Sequence, residues 1–183
     1  MVRTLLVIDV QNDYFPGGAY PLVGAEEAAE RGRELLTTAR EHGTPVVHLQ
    51  HVSNGPDAVF FLPGTPGQEI HPALAPSEGE AVLVKEYPNG FRETPLLEQL
   101  EALGTDQLVV AGMMSSMCVD ATVRAALDAG FSVAVAADAC AAPDLEFAGA
   151  ELPGATVHAA FMAALSDAGA RVVPTEEIRA GSA

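Results

Sequence analysis

The sequence predicts an α/β fold: a single domain, residues 1–183, in which a doubly wound sheet of about six mostly parallel strands forms the middle of three layers. Apolar runs that are too short for globular helices alternate along the chain with segments of helical apolar periodicity. Several of these runs are apolar at every position, which is typical of strands covered by helices on both faces. With 183 residues, the chain is long enough to bury one substantial core.

The first predicted unit is a strand, a helix and a second strand. Residues 5–8 form a continuous apolar run that ends at Asp9, and residues 45–51 form the second strand. Between them, residues 26–42 have acidic residues in the first turn and apolar residues on one face, which is typical of a helix packed on a sheet. We expect a right-handed crossover that makes the two strands parallel.

A long loop separates the second strand from the third. Residues 53–76 are rich in Gly and Pro, and a loop of this length in a compact domain usually has a function, so we expect a pocket wall or lid. The third strand, residues 81–84, is again a short apolar run followed by a charged residue, Lys85. A short helix is predicted after Thr94, which can act as its N-cap.

The second half of the chain repeats the alternation. Residues 107–111 are the fourth predicted strand, and Cys118 lies at the turn into a helix whose apolar positions recur at helical spacing as far as Gly130. The remaining predicted elements are a fifth strand over 131–136, a loop over 138–140, a helix over 155–168 and a sixth strand over 171–173.

The chain is strongly acidic, with a formal net charge of −16 and a pI near 4.4. Phosphate backbones and anionic lipids would repel such a chain, so we expect neither nucleic acid nor a membrane as a partner. No apolar run approaches the roughly 20 residues of a membrane span and no secretory signal is present, so the expected location is cytoplasmic. In that compartment Cys118 and Cys140 are expected to be reduced.

Three reactive side chains, Asp9, Lys85 and Cys118, each come shortly after an apolar strand. The carboxyl ends of parallel strands meet at one edge of a sheet, where ligands bind in such folds, so these side chains can meet there. A cysteine at a helix N-terminus is expected to be held as the nucleophilic thiolate, with an ammonium nearby and a carboxylate as proton acceptor. Each residue also has a structural interpretation: Cys118 as a small buried residue, Lys85 as a solvated charge and Asp9 as a turn cap.

Three segments resemble the signature segments of the isochorismatase-like cysteine hydrolases. They are VIDVQND at residues 7–13, LVKEY at residues 83–87 and GMMSSMCV at residues 112–119. The resemblance spans nearly the whole chain and keeps the spacing between the segments, so it is far more specific than one motif. It implies an α/β fold with a six-stranded parallel sheet.

The resemblance also implies the parts of a catalytic site. An Asp-Lys-Cys triad would consist of Asp9, Lys85 and Cys118. A non-proline cis peptide bond is implied just before the nucleophile turn, between Met113 and Met114. The backbone N–H groups of Met114 and Cys118 would then form the oxyanion hole.

The reaction implied by the resemblance is hydrolysis of the C–N bond of a small-molecule amide, imide or lactam. Cys118 would attack the carbonyl carbon, an acyl-thioester would form as the amine leaves, and water activated by Asp9 would release the acid. Two alternatives stay open. One is an isochorismatase-type hydrolase of a non-amide substrate, in which Cys118 is dispensable. The other is a ligand-binding or redox-sensing protein, in which Cys118 is oxidised reversibly with Cys140 as its partner.

Aromatic and apolar residues in the loops beside the triad are the candidates for a substrate pocket. They are Phe15, Phe60, Phe61, Tyr87, Phe91 and Met117. The resemblance further implies a homo-oligomer, a dimer or a tetramer. The small residues of the predicted helix 155–168 would suit close packing against a neighbouring subunit.

Histidines are the candidates for metal ligands. Nicotinamidases of the resembled family carry an Asp-x-His metal motif after the second strand, where this chain has His51-Val-Ser53. His48 and His51 are three residues apart, and an odd spacing along one strand directs side chains to opposite faces. His71 stands alone in the sequence. We therefore predict no required metal and no other cofactor.

Overall fold

A computed structural model describes residues 2–181 and contains one six-stranded parallel sheet and a separate hairpin. The strands are β1 (Arg3–Ile8), β2 (Val46–His51), β3 (Ala81–Lys85), β4 (Gln107–Met113), β5 (Ser132–Ala141), β6 (Leu145–Phe147), β7 (Ala150–Leu152) and β8 (Arg171–Val173). The helices are α1 (Ala25–Glu41), α2 (Leu96–Ala102), α3 (Asp120–Asp128), α4 (Gly154–Asp167) and α5 (Thr175–Ala180). The strand order in the large sheet is β3-β2-β1-β4-β5-β8, and β6 pairs with β7. The predicted fold class is confirmed.

Both faces of the large sheet are covered by helices. Leu5 and Val7 of β1 pack in the apolar cluster that contains residues of α1 and α5, whereas Leu6 and Ile8 pack in the cluster that contains residues of α2, α3 and α4. This two-sided burial explains why the strand is apolar at every position. Within residues 2–181, no helix is both long and apolar enough to cross a membrane.

The strand order places the candidate residues at one edge of the sheet. β1 lies between β2 and β4. The strands that follow β1 are first added on one side of it, as β2 and β3, and then on the other side, beginning with β4. Such a reversal opens a crevice at the carboxyl ends of the strands. Asp9 follows β1, Lys85 is the last residue of β3, and Cys118 follows β4, so all three lie at this edge.

The structure corrects the predicted end of the fifth strand. β5 runs to Ala141, so residues 138–140, which were predicted to form a loop, lie within the strand. A register irregularity between β4 and β5 is followed by pairing of Met113 with Ala141, which lengthens both strands. A bulge of this kind breaks the apolar pattern without ending the pairing. The β6–β7 hairpin and α5 were not predicted from the sequence either.

Polar side chains after β1 hold the long segment between β2 and β3. The fully buried carboxamide of Gln11 accepts a hydrogen bond from the His51 N–H at 2.7 Å and donates to the His51 carbonyl at 2.9 Å. The same amide nitrogen donates to the Gln68 carbonyl at 2.7 Å. Gln11 therefore fixes the end of β2, and with it the position of His51.

Asp13, two residues after Gln11, also fixes part of the long segment between β2 and β3. Its carboxylate accepts hydrogen bonds from the Phe61 N–H at 2.6 Å and the Ala19 N–H at 3.0 Å. Gly67 passes so close that a Cβ atom there would lie 2.1 Å from Asp13 Oδ1, so only glycine fits. The segment between β2 and β3 is thus held against the rest of the protein by hydrogen bonds to the buried side chains of Gln11 and Asp13.

Replacing Asp13 with alanine should destabilise the protein. The buried Phe61 N–H and the partly buried Ala19 N–H would lose their acceptor, and we expect the free energy of unfolding to fall by about 1–3 kcal/mol. Urea denaturation of Asp13→Ala would measure this fall. Asp57→Ala, which removes an exposed carboxylate from the same segment, is the control. Equal midpoints for the two variants would contradict the anchoring role.

Candidate active site

Asp9 begins the site in a strained backbone conformation. It directly follows β1, is fully buried and has a φ of 48°, in the left-handed region that residues other than glycine seldom adopt. Such strain concentrates at functional positions, where the surrounding structure enforces it. Asp9 Oδ2 lies 2.7 Å from Lys85 Nζ, so a completely buried ion pair joins the ends of β1 and β3.

The Lys85 ammonium has four acceptors around it. Besides Asp9, Nζ lies 3.0 Å from His51 Nδ1, 3.1 Å from the Tyr87 carbonyl and 3.3 Å from Cys118 Sγ. An ammonium has only three protons, so one of these acceptors must go without a full hydrogen bond at any moment. Lys85 can therefore shift its hydrogen bonds toward whichever neighbour carries the most negative charge.

Cys118 lies in a π-helical turn, residues Ser115–Val119, that leads into α3. The peptide bond between Met113 and Met114 is cis, which confirms the bond implied by the family resemblance. Gly112 precedes it with a φ of 140°, and a Cβ atom there would lie 2.0 Å from the Ile8 carbonyl oxygen. The backbone of β1 therefore runs directly against the start of this turn, which brings Cys118 to Asp9.

Burial dominates the electrostatics of the thiol. Cys118 is 5% exposed, and burial together with the charge of Asp9 raises its pKa, although Lys85 acts in the opposite direction. The expectation that Cys118 rests as a thiolate is therefore wrong. Burial also opposes the charge on Lys85, but Asp9 and Cys118 outweigh it and the Lys85 pKa is raised. The pKa values of the thiol and of the ammonium are thus both raised, which favours the protonated form of each.

His51 is the site residue that sequence reasoning left undecided. Burial and the nearby Lys85 charge lower the His51 pKa, so the ring is neutral near pH 7. Because Nδ1 accepts from Lys85, the ring proton lies on Nε2. The alternation along β2 explains the placement, since the odd spacing directs His48 to Glu80, 3.1 Å away, and His51 to the triad.

One group of potential metal ligands exists in the described part of the chain: Asp9, His51 and Cys118, whose ligand atoms lie within 4.8 Å of one another. Lys85 Nζ is within 3.3 Å of all three. The ammonium therefore already supplies the positive charge at the centre of the group, where a metal ion would have to displace it. This arrangement fits a metal poorly.

A cavity of about 340 Å³ opens beside the site. It is lined by His51, Glu86, Tyr87 and residues 53–58, so part of the long segment forms a pocket wall. Phe61 packs against His51, with ring centroids 5.9 Å apart, and Phe60 packs on Phe61. Tyr87 therefore lines the cavity with His51, whereas Phe61 is fully buried and neither Phe61 nor Phe60 is among the residues that line the cavity.

The other predicted pocket residues lie in different surroundings. Phe15 is buried and stacks on His71 at a centroid distance of 3.7 Å. Met117 is 47% exposed, one residue from Cys118. Phe91 packs against Phe131, 6.3 Å away, and Phe131 precedes β5 at the opposite edge of the sheet. The ring of Phe91 therefore packs on a residue at the amino-terminal edge of the sheet.

The family comparison agrees with this geometry. The Isochorismatase domain model matches residues 3–177. The isochorismatase family protein YddQ of Bacillus subtilis is 48% identical over 176 residues, which are 96% of this chain and 98% of YddQ. A crystal structure of an isochorismatase hydrolase from Oleispira antarctica superposes with a TM-score of 0.94 at 50% identity, covering 98% of this chain and 96% of that one.

A relative with a named reaction is more distant. Maleamate amidohydrolase of Pseudomonas putida is 34% identical over 145 residues, which are 72% of this chain and 68% of the amidohydrolase. The name of that enzyme specifies hydrolysis of an amide.

The buried carboxylate makes a specific prediction about the thiol. Asp9→Asn should speed alkylation of Cys118 by iodoacetamide at pH 7, because the Asp9 charge raises the thiol pKa and Lys85 would then face the sulfur alone. In the protein with Asp9, the alkylation rate should still be rising with pH at pH 9. Intact mass against time, in a Cys140→Ala background, measures both rates.

A matched charge deletion controls that experiment. Asp167→Asn removes an exposed carboxylate at the end of α4 and should leave the alkylation rate unchanged. Slower alkylation of Asp9→Asn than of Asp167→Asn would contradict the assignment of Asp9 as the group that keeps Cys118 protonated.

Proposed function

The chain belongs to the isochorismatase family, and from that premise we propose that it is a cysteine-dependent hydrolase of the C–N bond of a small-molecule amide, imide or lactam. The observation that carries the proposal is the buried cluster of Asp9, Lys85 and Cys118, joined by contacts of 2.7 and 3.3 Å to one ammonium. A thiol, a proton acceptor and a cation are the components of an activated cysteine nucleophile.

Attack begins with transfer of the Cys118 proton to Asp9. The sulfur then forms a bond to the substrate carbonyl carbon, and the carbonyl π electrons move to oxygen. Before the proton transfer, the Lys85 ammonium is paired with the Asp9 carboxylate, 2.7 Å away; after it, the negative charge lies on the sulfur, 3.3 Å from the same ammonium, until the attack moves that charge to the carbonyl oxygen. The net charge of the triad and the substrate together does not change in these steps, which limits the cost of reaction in a buried site.

The tetrahedral oxyanion requires donors fixed before the reaction. We assign this role to the backbone N–H groups of Met114 and Cys118, at the two ends of the turn that carries the thiol. Collapse of the oxyanion breaks the C–N bond, and the protonated Asp9 supplies the proton that the departing nitrogen needs. Ammonia or an amine leaves, and the acyl group stays on Cys118 as a thioester.

Hydrolysis of the thioester reverses the roles. Asp9 takes a proton from water as the oxygen attacks the acyl carbon, the C–S bond breaks, and the proton returns to sulfur. His51, with its proton on Nε2 beside the cavity, is available to bind a polar group of the substrate. The named reaction of maleamate amidohydrolase supports an amide among the candidate substrates.

Cys140 is a poor partner for a redox function. Burial raises its pKa to about 12, so it is a neutral thiol and a weak participant in disulfide exchange. Both cysteines are free thiols in the structure. These observations favour the hydrolase over a redox sensor.

A covalent intermediate would test the proposal directly. Acid quenching of the protein during turnover is expected to trap an acyl adduct on Cys118 with one member of a panel of primary amides, imides and lactams, because the proposed reaction passes through a thioester. Intact-protein mass identifies the added acyl group, and peptide mapping identifies the residue. A readily alkylated Cys118 that gains no adduct from any compound would argue against amide-type substrates.

Turnover of that compound should depend on one cysteine. Cys118→Ala is expected to lower kcat by about 10³-fold or more, because the nucleophile is lost. Cys140→Ala removes the other thiol and should keep most of the activity. A Cys118→Ala protein that retains the original rate would refute the assignment.

Metal removal should have no effect on the reaction. Since Lys85 supplies the positive charge between Asp9, His51 and Cys118, dialysis against EDTA is expected to leave the turnover rate unchanged. Rate loss that zinc, manganese or iron(II) restores would contradict this prediction.

A further inference from the structure

Ser115 occupies a critical place in the nucleophile turn and has no part in the mechanism above. It is the first residue of the π-helical turn, between the two proposed oxyanion donors, and is fully buried. Its hydroxyl donates to the Ala141 carbonyl at 3.1 Å and lies 2.8 Å from His158 Nδ1. One hydroxyl therefore joins the turn to the end of β5 and to α4.

The proton count fixes the direction of these bonds. The serine hydroxyl has one proton, which the Ala141 carbonyl accepts. His158 must then donate its Nδ1 proton to the serine oxygen, since that oxygen has no second proton to give. Burial lowers the His158 pKa, which favours the neutral ring near pH 7. The two hydrogen bonds therefore run in series from His158 on α4, through Ser115 in the turn, to Ala141 in the sheet.

The two residues that Ser115 contacts, Ala141 and His158, both lie in regular secondary structure. Ala141 pairs with Met113 in the sheet, directly before the cis bond. His158 lies on α4, which is anchored by buried Val157, Met162 and Leu165. Within the turn, the Met114 carbonyl accepts from the Met117 N–H at 3.1 Å and the Val119 N–H at 3.2 Å, and the Met117 carbonyl accepts from the Asp120 N–H.

We propose that His158 is a positioning residue that, through Ser115, holds the turn so that the N–H groups of Met114 and Cys118 point at the oxyanion. The role rests on the proposed hydrolase function, because it matters only where a tetrahedral oxyanion forms. His158 does not touch the reacting atoms. It acts by preventing the residues on either side of Ser115 from rotating.

Two reactions of the same thiol separate positioning from general damage. Acylation by p-nitrophenyl acetate passes through a tetrahedral oxyanion, whereas alkylation by iodoacetamide is a direct displacement at carbon and forms none. In a Cys140→Ala background, His158→Ala and Ser115→Ala should acylate about 10–100-fold more slowly, which is less than the loss of an entire oxyanion donor. Their alkylation rates should stay within about two-fold of the parent, since Asp9 and Lys85 are untouched.

A conservative variant and a surface variant provide the controls. His158→Asn can place an amide N–H near the position of Nδ1 and should recover most of the acylation rate. His42→Ala, which removes an exposed histidine after α1, should change neither reaction. Equal losses in acylation and alkylation, or no loss in either, would overturn the positioning role.

A measurement without substrate distinguishes this inference from the function it rests on. If the parent protein is alkylated but not acylated, the hydrolase proposal fails. Amide hydrogen exchange then still tests whether His158 and Ser115 hold the turn in place. Peptides that cover residues 114–119 should exchange faster in His158→Ala than in the parent and in His158→Asn. Unchanged exchange would contradict the claim that His158 restrains the turn. Faster exchange with an unchanged acylation rate would contradict the claim that this restraint orients the oxyanion donors.

Discussion

The buried ion pair between Asp9 and Lys85 is the interaction on which the rest of the site depends. Removing two charges from water costs several kcal/mol per ion, so a pair at 2.7 Å persists only where the fold brings both partners together rigidly. β1 and β3 do so from opposite sides of β2, because parallel strands end at the same edge. The price of burial is offset by further acceptors for the ammonium, which the Tyr87 carbonyl and His51 provide.

Burial is the main reason that the pKa of the Cys118 thiol is raised, and the Asp9–Lys85 pair adds to it. A carboxylate beside a buried sulfur opposes a second negative charge more strongly than the shared ammonium favours it. Reactivity then comes from moving a proton within the site, from Cys118 to Asp9, while Lys85 redistributes three protons among four acceptors. A protonated thiol reacts more slowly with oxidants and alkylating agents than a thiolate does.

The surroundings of the triad are held by polar side chains that apolar patterns do not reveal. Gln11 fixes the backbone at His51, Asp13 fixes the wall that begins after β2, and Ser115 joins the thiol-bearing turn to α4. Each is buried, and each satisfies backbone or side-chain groups from elements far apart in the sequence. Loops that would otherwise be mobile therefore have the rigidity that a preorganised site requires.

By itself, the sequence determined the α/β class, six strands of the sheet and the three residues at their ends, because period, run length and charged ends are local properties of the chain. The cis bond before the nucleophile turn followed from the likeness of a short motif. Tertiary structure decided the rest. Four features depend on residues that are distant in sequence. They are the extension of β5 to Ala141, the raised pKa of the Cys118 thiol, the packing of Phe91 against Phe131 and the contact of Ser115 with His158. Burial and pairing between such residues set pKa values, strand ends and hydrogen-bond direction, and no local pattern contains that information.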